Sequence, residues 1–437
     1  LPRNPPRIFD AALPDGARKQ GLKVPIVTAP LTRLDRRFDP TAGFSDLQWF
    51  MFRQRNIAHY AAFSRRDYDE AALVGIAGAL VALAPQLATA YRGAIAGGVP
   101  EAVLRRLVSV ERVESFEGFP DAVIESGPGV TADPDLPLFR VRAFVRAGGA
   151  DAEGRRAFLL VRVSHALVEG ADSSLLSRSQ SADHPVSLSS VRTSGPIAAL
   201  ARATGALAAL AHLLVANLYV PRPGPFGFAS RAYPRAQLTT MARALGVSQR
   251  ALFFALVMHT LFGAGTGTGK RRISSTYSTI DNGGGARRDT YMRMRMLFAV
   301  FANAPDFSRF AQGVERQLHL AASRESGFNA ELNAAGVATH RALSRVIGFA
   351  YRPQLFAFMP YDIVLGLIPP HRLSGGLTEG LLEPVYCGAA TPGANACVIV
   401  PGREQVTFNF YIETSLRPNL AQLDALLGSH DVNRGFS

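Results

Sequence analysis

Apolar and polar positions alternate most clearly in two neighbouring stretches. Phe139, Val141, Ala143 and Val145 share one parity, while Arg140, Arg142 and Arg146 fall mostly on the other. The Gly148–Gly154 turn (GGADAEG) brings the chain back through Phe158–Val163, with Leu159, Val161 and Val163 set against Leu160 and Arg162. The pattern predicts a hairpin whose second strand stops at Ser164 and His165. After that break Leu167, Val168, Leu175 and Leu176 take helical spacing.

Elsewhere the 3.6-residue period dominates. Leu73, Ile76, Leu80, Leu83 and Leu87 predict a helix over Tyr68–Arg92, with Asp67 or Asp69 as its cap. Phe44–Phe63 has room for a short helix and a strand, Val103–Val113 for a helix or strand, and Gly118–Pro137 reads as loop. Ile197–Val220 is the most hydrophobic stretch, long enough to span a bilayer, but Arg202 and His212 lie inside it. A long helix lying on the protein or on a membrane surface is the better reading. Past the break at Pro221–Pro225, Leu238–Leu245 reads as a helix. Ser248 then caps a helix over Gln249–Phe262, and Arg272–Ile280 and Met292–Phe301 read as strands. A helix over Phe307–Arg324, a Val398–Ile412 hairpin and a final Leu-rich helix complete the pattern.

This predicts an α+β chain of two lobes with a cleft between them, because regular strand–helix alternation is missing. The expected boundaries are 1–190 for the N-terminal lobe, with residues 1 to about 45 as a surface arm, 191–235 for an apolar helical connector and 236–437 for the C-terminal lobe. A length of 437 residues fits two cores of about 200 residues each.

Charge narrows the partners only a little. The chain has 47 Lys+Arg against 34 Asp+Glu, a net charge of +13, and lysine occurs only at positions 19, 23 and 270. An excess carried by arginine favours a polyanionic partner, but no nucleic-acid-binding signature accompanies it. Only Cys387 and Cys397 are present, outside any C-x-x-C pairing, which fits a reducing compartment and argues against a thiolate metal site. Pro2, Pro5 and Pro6 among charged residues do not make a signal peptide, and a cytoplasmic location is expected.

Most catalytic signatures fail on inspection. Gly265–Lys270 (GTGTGK) has Ala264 where a phosphate loop needs glycine and Arg271 where it needs Ser or Thr, so it reads as a turn. No G-x-S-x-G and no H-E-x-x-H occurs, and histidines 59, 184, 212, 259, 319, 340, 371 and 430 are scattered without ligand spacing. His165 remains, within H-x-x-x-E-G completed by Glu169 and Gly170. With no nucleophilic Ser or Cys motif in the chain to work with it, a single imidazole suits general-base transfer from an already activated acyl donor such as a thioester.

These residues resemble the bacterial wax ester synthase/acyl-CoA:diacylglycerol acyltransferase family, in the CoA-dependent acyltransferase and condensation-domain superfamily. The family's H-H-x-x-x-D-G is matched by Ser164-His165-Ala166-Leu167-Val168-Glu169-Gly170, and its P-L-W by Pro137-Leu138-Phe139. Gln249-Arg250 stand at its N-D helix start, and Gly366–Pro370 resembles its N-x-P-G-P segment. The order is collinear from about Leu47 to Leu427, although no single motif is intact. The resemblance implies two chloramphenicol-acetyltransferase-like lobes of mixed sheet and helices with a tunnel between them. It also implies transfer of a fatty acyl group from acyl-CoA, a co-substrate rather than a tightly bound cofactor, to a long-chain alcohol or diacylglycerol.

His165 would be the base, with Ser164, Glu169 and Gly170 in support and Asp172 as a substitute acid. Arg287, Arg288, Arg293 and Arg295 are the candidates for the CoA phosphates, and a solvated basic loop is their plainer reading. An anionic membrane or lipid-body surface is the expected partner, with no metal, no nucleic acid and no oligomeric state indicated. A catalytically degenerate acyl- or partner-binding member, and transfer from a carrier protein, are the alternatives.

Overall fold

The computed structural model describes residues 44–83, 99–126, 136–167, 195–218, 226–280, 294–323, 335–343, 361–368 and 379–429, together with Leu87 and apart from short breaks within these spans. The first half supplies α1 (Asp46–Arg53), β1 (Ile57–Ser64), α2 (Glu70–Leu83), α3 (Glu101–Arg105), β2 (Val108–Val113), α4 (Asp121–Ser126), β3 (Phe139–Arg146) and β4 (Ala157–Ser164). Helix α5 (Pro196–Leu218) leads into β5 (Phe226–Pro234), α6 (Arg235–Leu245), α7 (Gln249–Phe262), β6 (Arg272–Ile280), β7 (Met294–Ala302) and α8 (Phe307–Ser323). Helix α9 (335–343), β8 (Ile363–Leu367), β9 (Leu381–Ala390), β10 (Ala396–Pro401), β11 (Gln405–Glu413) and α10 (Leu420–Ser429) follow.

The strands form two mixed sheets, β2-β3-β4-β1-β9 and β5-β11-β10-β8-β6-β7. The predicted hairpin is β3–β4, with Phe139 opposite Val163 and Val145 opposite Ala157. Its second strand departs from simple alternation: all eight residues of β4 are buried. A strand with neighbours on both edges and packing on both faces has no solvent side, so its apolar run is nearly continuous. One face joins α1 and α2 through Leu159, Val161 and Val163. The other packs Phe158 and Leu160 with Phe63, Phe116, Phe144 and Tyr386.

The lobes are interleaved in sequence. Within 191–235 the chain holds α5 and then β5, which pairs with β11 as the edge strand of the second sheet. Within 236–437 it holds β9, which pairs with β1 and completes the first sheet, Ile57 opposite Ala390. The features not read from the sequence include β5, β8, β9 and α9, and α4 inside the 118–137 stretch read as loop.

Helix boundaries follow their caps. Asp69 accepts the Ala72 N–H at 2.7 Å, ahead of α2. Ser248 accepts from Ala251 N–H at the start of α7. Gly246, in the left-handed region at φ 65°, ends α6, so α6 and α7 meet at 97°. α5 turns small residues inward, with Ala198, Ala201 and Ala209 buried, while Leu200 and Leu207 are 62% and 67% exposed. Gly336 of α9 abuts the Gly205 backbone, where an added Cβ would lie 3.5 Å from the carbonyl oxygen. Among the described residues no single helix is long and apolar enough to cross a membrane.

Phe158 tests the packing of β4. Its ring meets those of Phe63, Phe119, Phe144 and Tyr386 at centroid distances of 5.0, 5.4, 6.5 and 6.1 Å, and it is fully buried. Phe158→Ala is expected to cost about 3–5 kcal/mol in urea unfolding, since a cavity adds to the lost transfer energy.

Candidate active site

Sequence and structure agree that β4 delivers His165. The strand ends at Ser164, and residues 165–167 form a turn in which Leu167 N–H donates to the Ser164 carbonyl at 2.9 Å. Ser164 N–H donates to the Leu138 carbonyl at 2.9 Å, so the Pro137-Leu138-Phe139 segment holds the base of the histidine turn. From α1, buried Gln48 donates its side-chain amide to the Ala166 carbonyl at 3.1 Å. His165 and Ser164 are both 7% exposed, so the imidazole sits on fixed backbone in a largely dry site.

The supports of that turn have supports of their own. Trp49 and Phe50 of α1 are buried, and Phe50 meets the His340 ring of α9 edge-on at 5.9 Å. Arg341 donates to the Phe44 carbonyl at 2.8 Å, fixing the entry to α1. Gln48 was not singled out from sequence. Its only signal is a polar amide among the aromatics of DLQWFMFR, where most neighbours demand an apolar partner.

Glu169, Gly170, Asp172, Arg287, Arg288 and Arg293 lie outside the described residues. Arg295 is on β7, the edge strand of the second sheet, in register with Thr279. The Gln249-Arg250 and Gly366–Ile368 segments are brought together: Gln249, Arg250, Leu367 and Ile368 line one pocket of about 260 Å³. Ile368 belongs to the same apolar cluster as Ala166 and Leu167. Cys387 and Cys397 are both buried free thiols, their pKa pushed up by burial. No group of three or more His, Cys, Asp or Glu is placed to hold a metal ion among the described residues.

Three residues before His165, Arg162 is buried and donates to the carbonyls of Val123 and Ile124, the latter at 2.6 Å. Burial, with Arg142 adding repulsion, lowers its pKa to about 10. Across the strand pair it faces His59, which the sequence reading left among the unremarkable histidines. His59 is wedged between Gly388 of β9, where a Cβ would fall 2.8 Å from the ring, and Phe228 of β5, edge-on at 5.1 Å. Its Nε2 is buried without a hydrogen-bond partner. Desolvation, reinforced by Arg162, drops its pKa to about 3. Helix α4 closes the seam between the sheets: Asp121 accepts from Ser230 N–H and Oγ–H at 3.1 and 2.9 Å, and Arg417 donates to Glu125 at 2.6 Å.

No protein-family model matches the chain, and a search of curated protein sequences finds no match. Solved structures share its fold. Polyketide synthase associated protein 5 from Mycobacterium tuberculosis is 14% identical with a TM-score of 0.52, over 90% of this chain and 98% of that one. The nonribosomal peptide synthetase FmoA3 is 16% identical with a TM-score of 0.51, over 90% of this chain and 43% of that one. The wax ester synthase/diacylglycerol acyltransferase from Marinobacter aquaeolei VT8 is 15% identical with a TM-score of 0.49, over 87% and 98%.

His59 generates a prediction about acid stability. Its folded pKa lies far below the unfolded value of 6.5, so between about pH 6.5 and pH 3 the unfolded chain binds the extra proton. Stability from the neutral ring is complete above pH 6.5 and is lost as pH falls through that window. The slope contributed is at most about 1.4 kcal/mol per pH unit. Urea midpoints of wild type and His59→Asn, followed from pH 7 to pH 4, should fall more steeply for wild type; parallel curves would remove His59 as the cause.

In architecture the chain is an α+β protein of two chloramphenicol-acetyltransferase-like lobes, each built on a mixed sheet, and it shares this fold with polyketide synthase associated protein 5 and with part of FmoA3.

Proposed function

We propose that the protein is an O-acyltransferase that moves a fatty acyl group from acyl-CoA to a hydrophobic alcohol, with His165 as general base. The observation that carries this reading is the seating of His165 at the end of a fully buried central strand, in a turn held by Leu138, Ser164 and Gln48. The motif order from Pro137 to Ile368 and the two-lobed fold are consistent with it.

In this mechanism the imidazole takes the proton of the bound alcohol as its oxygen attacks the thioester carbonyl. The tetrahedral adduct collapses, the C–S bond breaks, and the imidazolium returns the proton to the departing thiolate. No covalent acyl-enzyme forms, so positioning and one proton transfer supply the acceleration. Glu169 and Gly170 take the supporting role beside the base, and Arg287, Arg288, Arg293 and Arg295 supply positive charge for the CoA phosphates. The net charge of +13 and the outward leucines of α5 suit a cytoplasmic enzyme working at an anionic lipid surface.

His165→Ala should lower thiol release from acyl-CoA in the presence of a long-chain alcohol by about 10²–10⁴-fold, the range for a lost general base. An unchanged rate would overturn the assignment. Ser164→Ala should cost less than about tenfold in the same assay. Its backbone makes the short contacts of the turn, whereas its hydroxyl accepts from Ala166 N–H at 3.4 Å, near the limit for a hydrogen bond.

A further inference from the structure

The pocket of about 260 Å³ lies where α7 begins and where β8 and β10 end. Its walls divide by chemistry. Phe253, Leu367, Ile368 and Pro401 are apolar, while Arg235, Gln249 and Arg250 are the polar lining, and no carboxylate is among the lining residues. The Arg250 guanidinium carbon lies 5.5 Å from the Phe254 ring centroid and 5.0 Å from that of Tyr277. Its Nε is buried with no hydrogen-bond partner, and burial lowers its pKa. Arg235 donates one Nη to the Gly402 carbonyl at 2.9 Å, and Gln249 donates to Thr239 Oγ1 at 2.8 Å.

Glu383 accepts the backbone N–H groups of Arg403 and Glu404, on the turn beyond Pro401. Glu315 accepts from Ser248 N–H and Oγ–H at the head of α7, so the helix terminus already has its anion. Of the two lining guanidinium groups, Arg250 keeps a buried Nε without a partner, while Arg235 is half-buried with one Nη on the Gly402 carbonyl. Desolvated and short of hydrogen bonds, a guanidinium gains most from a planar or tetrahedral oxyanion that it can grip with two donors.

We propose that this pocket binds the anionic head of an amphiphile, a carboxylate or a phosphate monoester on an aliphatic stem. The head would lie between Arg235 and Arg250, and the first carbons of the stem against Phe253, Leu367 and Ile368. A hydrated free anion would leave that apolar wall unfilled, and an uncharged alcohol would leave the guanidinium groups unmatched. The pocket does not depend on the acyl-transfer reading, and its test needs no turnover.

Thermal unfolding of the full chain with octanoate, octyl phosphate, octanol, acetate and inorganic phosphate decides it. Saturating octanoate or octyl phosphate should raise the midpoint by about 2 °C or more. Whichever of the two acts, or both, identifies the head that the pocket accepts. Arg250→Gln and Arg235→Gln should each weaken that ligand at least about tenfold, as expected for loss of a charged hydrogen-bond partner. Each variant is read against its own unliganded midpoint, so a lower baseline does not obscure the result, and either variant suffices if the other fails to fold. The proposal is overturned if octanol, acetate or inorganic phosphate stabilises as well as the amphiphilic anions, if no ligand shifts the midpoint, or if both variants keep the full shift.

Discussion

A buried guanidinium must be surrounded by acceptors, and that requirement at Arg162 organises the middle of this protein. The carbonyls of Val123 and Ile124 meet it, which fixes α4 against the first sheet. Once α4 is fixed there, Asp121 and Glu125 reach the second sheet through Ser230 and Arg417. A Cβ at Gly227 would collide with that Arg417 guanidinium, so β5 has to be bare at this point for the tie to form. The same cation also decides the state of its neighbour, because a second positive charge on His59 would have neither solvent nor partner.

The strand that carries Arg162 runs directly into the turn holding His165, so the seam between the sheets and the candidate base share one continuous backbone. Main-chain and amide contacts do the holding. Leu138 fixes Ser164 through the backbone, Gln48 fixes Ala166 through one amide, and α9 fixes α1 behind it. Such a site tolerates change in the side chains of its turn better than change in the geometry of its strands. This explains how Ser164 can stand beside the base without the arrangement depending on its hydroxyl.

Elements with local causes were legible in the sequence. α7 begins after Ser248 and β6 occupies Arg272–Ile280 as the pattern predicts, because a cap and a period act over a few residues. The β3–β4 hairpin and the position of His165 were legible for the same reason. α4 was not: six residues between Gly118 and the 127–135 stretch carry too little periodicity to stand out, and its stability comes from Arg162, 36 to 41 positions away. Strand β9 hides its character behind Pro384 and Gly388, which weaken the apolar signal. Gln48 and His59 matter only through partners that the fold brings to them from remote sequence.

The pairing of β1 with β9 also bears on how the chain comes together. Strand β1 leaves the ribosome well before its partner at Leu381–Ala390, with most of the other elements made in between. Until then the β1 edge of the first sheet stays open while the strands of the other lobe are being made. Closure of that edge is a long-range event with a high loop-closure cost, which places it late in folding. The N-terminal lobe is thus an unfinished sheet when first made, and a chain truncated before residue 381 would present a bare β1 edge open to pairing with other molecules.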